Sequence, residues 1–93
     1  MRGISIGTAF LALALMGWMG GPARAQGVCE DLWEARNSIY KSYGYCFKTA
    51  RAIRRFGNAG CQYDREGAIP FSRADRARIN DIVRRERRLG CGG

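Results

Sequence analysis

Cys29, Cys46, Cys61 and Cys91 are the residues of this chain whose type and spacing could do chemistry. In an oxidising compartment four thiols make two disulfides, in one of three connectivities. Structural zinc is the competing use, but zinc sites usually bring their ligands in close pairs such as C-x-x-C. Here the intervals are long and no two cysteines are near neighbours, so bridges are expected and zinc is not. Cysteines committed to bridges offer no thiol nucleophile. The 93 residues contain no histidine, which removes the commonest general base and the commonest metal ligand. The sequence has no P-loop, no G-x-S-x-G and no H-E-x-x-H run. Asp64 and Glu66 are a near pair of carboxylates, but Arg65 and neighbouring glycines surround them, and they read as solvated loop charges. No catalytic residue, metal or cofactor is assigned, and an enzyme is not expected.

The second chemical resource is arginine. The net charge is +8, of which Arg2 and Arg24 belong to the N-terminal segment discussed below, so residues 26–93 keep +6. Two clusters stand out: Arg51, Arg54 and Arg55, and then Arg84, Arg85, Arg87 and Arg88 with Arg73 on the same outward side. A guanidinium grips carboxylate or phosphate in a bidentate fork, so an anionic partner is the natural ligand; charge that merely confers solubility is the plainer alternative. Nucleic acid is not expected, because aromatics suited to stacking bases are not interleaved with these arginines. Tyr43, Tyr45 and Phe47 cluster in a turn instead, where a core role fits.

The elements that must carry these residues begin after a leader. Ile4 to Met19 is apolar apart from Ser5, Gly7, Thr8 and Gly17, Arg2 precedes it, and Gly20-Gly21-Pro22 follows. Ala23-Arg24-Ala25 fits the small-residue cleavage rule, so residues 1–25 read as a signal peptide and 26–93 as the mature domain. The apolar stretch falls short of the roughly 20 residues a membrane span needs. Cys29 follows Gln26-Gly27-Val28 rather than a lipidation box, which points it to a disulfide. A mature chain this short supports one small domain whose core alone is marginal, and bridges are the usual remedy in exported domains.

Three helices can be read. Leu32, Trp33, Arg36, Ile39, Tyr40 and Tyr43 share one face of a helix from about Glu30 to Tyr43, stopped by Gly44. A short helix follows from about Thr49 to Phe56, with Ala50, Ile53 and Phe56 turned inward and Gly57 as its stop. The loop from Gly57 to Pro70 leads to a capping box, Ser72-Arg73-Ala74-Asp75, with Phe71 placed as a hydrophobic staple. Ile79, Ile82, Val83 and Leu89 then form the stripe of a third helix ended by Gly90. An up-down-up bundle would put Cys29 and Cys61 at one end and Cys46 and Cys91 at the other. The expected bridges are therefore Cys29–Cys61 and Cys46–Cys91.

Two charges fall where core residues belong. Arg36 lies between Leu32, Ile39 and Tyr40 on the first helix, and Glu86 between Ile79, Val83 and Leu89 on the third. Burying either alone would cost several kcal/mol, so an Arg36–Glu86 ion pair across the helix interface is expected, with Asn37 nearby as a further hydrogen-bond partner. Such a pair would fix helix registry; a polar site with Glu86 as acid or base is the less favoured reading.

At the first turn, Arg36-Asn37 followed by Tyr40-Lys41-Ser42-Tyr43-Gly44-Tyr45-Cys46-Phe47 resembles the signature of the YARHG domain. Tyr40 and Gly44 match the ends of the motif, while Lys41, Ser42 and Tyr43 replace its Ala-Arg-His. The likeness continues more loosely through Phe56 and from Pro70 to Glu86. It implies a small extracytoplasmic bacterial module without an established molecular function. Taken together, the expectation is a secreted or periplasmic, mainly α, small three-helix, disulfide-stapled monomer without a membrane span after leader removal. Its expected role is a non-catalytic binding or accessory module acting on an anionic component of the cell envelope; the alternative is a small secreted effector or inhibitor that docks on an acidic protein.

Overall fold

The computed structural model describes residues 24–92. The expected leader lies outside the described residues except for Arg24 and Ala25, which already belong to the first helix. That helix, α1 (24–43), starts earlier than the apolar stripe suggested. It is followed by α2 (Ala50–Phe56), a single 3₁₀ turn (Glu66–Ala68) and α3 (Arg73–Leu89). No named strand occurs among the described residues, and the architecture is a small mainly α domain with two disulfides.

Glycine ends both long helices by the same device. Gly44 takes a φ of 88° and Gly90 a φ of 70°, a left-handed geometry that a Cβ resists. The turn this permits returns the Gly44 N–H to the Lys41 carbonyl and the Tyr45 N–H to Tyr40, and likewise Gly90 to Arg87 and Cys91 to Glu86. Otherwise orphaned carbonyls are thereby satisfied. At the first site the Tyr45 ring also meets the Tyr40 ring edge-on, with centroids 5.6 Å apart. Thr49 caps α2 by accepting from the Ala52 N–H at 3.2 Å.

Contacts between numbered residues give the direction of each helix. Arg51 pairs with Glu30 and Arg55 with Glu34, both 21 positions apart; a constant offset means that α2 runs parallel to α1. Cys29 joins Cys91, Arg36 meets Glu86 and Tyr43 meets Asp75. Those numbers change in opposite senses, so α3 runs antiparallel to α1. The helices therefore go up, up and down, where up, down and up was expected. The return stroke is made by residues 44–49, between the two helices. From Glu30 to Tyr43 α1 climbs about 20 Å, and the seven steps from Tyr43 to Ala50, at about 3.3 Å each, are enough to come back down.

This path corrects the disulfide connectivity. The bridges are Cys29–Cys91 and Cys46–Cys61, with Cα separations of 5.5 and 5.1 Å, not Cys29–Cys61 and Cys46–Cys91. Because α3 descends, Cys91 ends beside the start of α1. Cys61 is brought to Cys46 by backbone pairing: Gln62 and Tyr63 both donate to the Gly44 carbonyl, and Cys46 donates to Tyr63. Asn58 extends this pairing with its side chain, whose Oδ1 accepts from the Phe47 N–H at 2.7 Å and whose Nδ2 donates to the Phe47 carbonyl at 3.0 Å.

The core gathers Trp33, Ile39, Tyr40, Phe47, Ala52, Ile79 and Ile82. An unbroken series of ring contacts runs through it, from Trp33 to Phe56, Phe47, Tyr45, Tyr40 and Phe71, ending at Tyr43. Each such pair is worth about 0.5–1.5 kcal/mol beyond the area it buries, a substantial share for so small a domain. Three residues expected on the inward stripes do not face the core: Ala50 and Ile53 face out while Ala52 is the buried residue of α2, and Leu89 is exposed near the end of α3.

Candidate functional site

The two arginine clusters meet different surroundings. On α2, Arg51 pairs with Glu30 and its guanidinium lies 3.7 Å from the centre of the Trp33 ring. Arg55 pairs with Glu34 and lies over Phe56 at 4.7 Å. Glu30 and Glu34 are one helical turn apart, as are Arg51 and Arg55, so the parallel register brings each arginine to its own carboxylate. Of this cluster Arg54 alone has no carboxylate in pairing range among the described residues. The structure therefore does not assemble Arg51, Arg54 and Arg55 into one open basic face.

On α3, Arg84 and Arg85 share the single carboxylate of Asp81, and both side chains remain more than half exposed. Arg73, Arg87 and Arg88 are exposed, with no carboxylate in range among the described residues. At 100° per residue, Arg73, Arg84, Arg87 and Arg88 fall on the arc opposite Ile79 and Ile82, spanning about 22 Å of helix. Arg85 sits on one flank of that arc. Arg76 sits on the other flank and was not among the residues the sequence pointed to, although its spacing from Arg73 and Arg84 is visible in the sequence. Its guanidinium lies 5.5 Å from the Phe71 ring, a cation–π contact in the place where an apolar staple was expected.

Arg36 and Glu86 form a two-point fork, Nε to Oε1 at 2.8 Å and Nη2 to Oε2 at 3.1 Å. Their side chains are 17% and 13% exposed, so the pair sits at the edge of the core with little screening. Burial works to lower the pKa of Arg36, but the hydrogen bonds and charge of Glu86 outweigh it and hold the value above the ordinary one. Asn37 is not part of this pair. It is buried, and its amide donates along α1 to the Trp33 carbonyl at 2.9 Å. Next along the same face, the Tyr40 hydroxyl donates to Glu66 at 3.2 Å. Burial first and the Glu66 carboxylate second raise the Tyr40 pKa, with Arg36 opposing. Asp64 pairs with Lys48 on the surface, 3.3 Å away, so the two loop carboxylates are used separately.

The capping box is only half formed in its expected way. Ser72 Oγ accepts from the Asp75 N–H at 3.1 Å. The reciprocal bond is relayed instead: the Ser72 N–H donates to the Tyr43 hydroxyl at 3.0 Å, which donates to Asp75 Oδ2 at 2.6 Å.

A cleft of about 500 Å³ lies at the Cys29–Cys91 end, with Trp33, Arg51, Glu30 and Glu86 in its wall. Its charged groups already have protein partners, Arg51 in Glu30 and Glu86 in Arg36. Among the described residues no three His, Cys, Asp or Glu side chains are grouped to hold a metal ion, and no helix is long and apolar enough to cross a membrane. The most available chemical feature is thus the outward arginine row of α3.

Compared with known proteins, the chain matches the family model of the YARHG domain over residues 13–87, well over half its length. No curated protein and no solved structure matches it significantly.

Proposed function

The chain belongs to the YARHG domain family, and on that premise we propose that it is an exported, non-catalytic binding module that holds an anionic component of the bacterial cell envelope on the arginine row of α3. One observation carries the reading: the arginines of α2 are largely matched by α1 carboxylates, whereas those of α3 share one carboxylate and otherwise point to water. Arginine in such a row suits repeated carboxylate or phosphate groups, each gripped in a fork. Two disulfides agree with an oxidising compartment outside the cytoplasm, as does a family that is generally extracellular or periplasmic.

The test is neutralisation of the row by Arg84→Gln, Arg87→Gln and Arg88→Gln together. Glutamine avoids placing negative charge at the C-terminal end of a helix, where the dipole disfavours it. The oxidised protein is co-sedimented with cell-envelope fractions at low and high salt. The expected result is binding that high salt releases and that the triple variant loses while its circular dichroism is unchanged. Full binding by the triple variant would overturn the reading. Binding that resists salt and follows a soluble acidic protein would replace the envelope partner with a protein one.

A further inference from the structure

Three large aliphatic side chains are well exposed among the described residues: Val28, Ile53 and Leu89, at 40%, 42% and 45%. Single exposed aliphatics need no explanation, but two of these three fall at one end of the molecule. Val28 precedes Cys29 and Leu89 precedes Gly90-Cys91, so the Cys29–Cys91 bridge clamps both to the same tip of the α1–α3 pair. That tip also holds the densest part of the arginine row, where Arg84 and Arg85 share the one carboxylate of Asp81 and Arg87 and Arg88 have none in range among the described residues. Gly27, Gly90 and Gly92 lie beside it, and apart from their own chain neighbours and helix backbone no atom lies within 4 Å of where a side chain would begin. The tip therefore exposes two aliphatic side chains beside a cationic row.

We infer that this tip seats on an anionic phospholipid surface, with Leu89 and Val28 entering the headgroup layer and the last arginines of α3 holding lipid phosphates. The inference rests on the arginine-row reading and names the partner. A soluble polyanion would be held by the arginines but gain nothing from Val28 and Leu89. A lipid interface uses both, since apolar insertion and attraction of arginines to anionic headgroups add. The long arginine side chains can reach phosphates while their stems lie along the apolar layer.

The test compares the oxidised protein on phosphatidylcholine vesicles with and without phosphatidylglycerol, and on polyglutamate as a soluble polyanion. The wild type should sediment only with the anionic vesicles. Val28→Ser with Leu89→Ser should weaken that binding about five-fold and leave polyglutamate binding unchanged. In Leu89→Trp the added indole should shift its emission to the blue when anionic vesicles are present. Failure to bind the anionic vesicles would overturn the lipid seat, as would wild-type binding by the double serine variant or unshifted emission from bound Leu89→Trp. The arginine row fails separately, if neutralising Arg84, Arg87 and Arg88 leaves polyglutamate binding intact.

Discussion

Arg51 and Arg55 on α2 lie against the rings of Trp33 and Phe56 and close onto Glu30 and Glu34. Arg84 and Arg85 on α3 divide one aspartate between them, while Arg73, Arg87 and Arg88 extend into solvent. The two segments hold the same residue type at similar density, so composition alone makes them equivalent. Register separates them. Running parallel to α1 with a fixed offset, α2 spends its charge on fastening itself to its neighbour. The α1–α3 interface is fastened otherwise, by a partly buried ion pair, the Tyr43 relay and a disulfide, and most of the α3 arginines are left over. Charge available to a partner is the part that the fold does not use.

If this division of labour is right, the largest stability effect should come from the covalent clamp on the α1–α3 side. Removing Cys29–Cys91, which closes 62 residues, should cost about 4 kcal/mol, and removing Cys46–Cys61, which closes 15, about 3 kcal/mol. Urea unfolding of Cys→Ser pairs measures both. Peptide mapping of unreduced protein that joined Cys46 to Cys91 would break the antiparallel arrangement itself.

The ion pair comes next. Glu86→Ala leaves Arg36 mostly buried without a partner and should cost about 2–4 kcal/mol, whereas Arg36→Met combined with Glu86→Leu should restore most of the loss. Additive effects of Arg36→Ala and Glu86→Ala in a double-mutant cycle would show that the fork contributes no coupling.

The sharpest contrast is between single arginines. Arg51→Ala removes an exposed ion pair and a close cation–π contact and should cost about 1 kcal/mol. Arg88→Ala should change stability by less than about 0.5 kcal/mol and act on binding instead. Equal effects on unfolding would erase the distinction between the two helices.

A smaller effect belongs to Tyr40. Its pKa is raised in the folded state, so above the ordinary phenol value of about 10 the unfolded chain loses its proton first. The linked stability is intact below that pH and falls as pH rises through the folded value. Alkaline unfolding should therefore be less steep in Tyr40→Phe than in the wild type over that window.

Much of this was legible in the sequence because it is encoded locally. The stripe of Leu32, Trp33, Ile39 and Tyr40, the stops at Gly44 and Gly90 and the Ser72 cap each declare a helix or its end within a few residues. Arg36 and Glu86 were legible as partners because an unpaired charge on an apolar stripe asks for its opposite. The disulfide connectivity was not, since it depends on residues 44–49 returning the chain. The signal was faint: Tyr45 and Phe47 alternate with Cys46 and Lys48 as a short extended run would, but the pairing that holds them comes from Asn58 and Gln62, in a loop with no periodicity. The same blind spot hid which arginines are free, because the α1–α2 offset follows from that path.

Tyr43 stands where the family motif has histidine, at the last turn of α1, yet its hydroxyl completes the N-terminal cap of α3. The first turn of α3 is consequently unable to hold all its amides until α1 has docked, and the two helix ends should gain protection from hydrogen exchange in a single cooperative step. A peptide of α3 alone would fray from Ser72 inward, however well its own residues favour a helix. The cap thus works as an assembly check, linking the element that carries the arginine row to the correct placement of its neighbour.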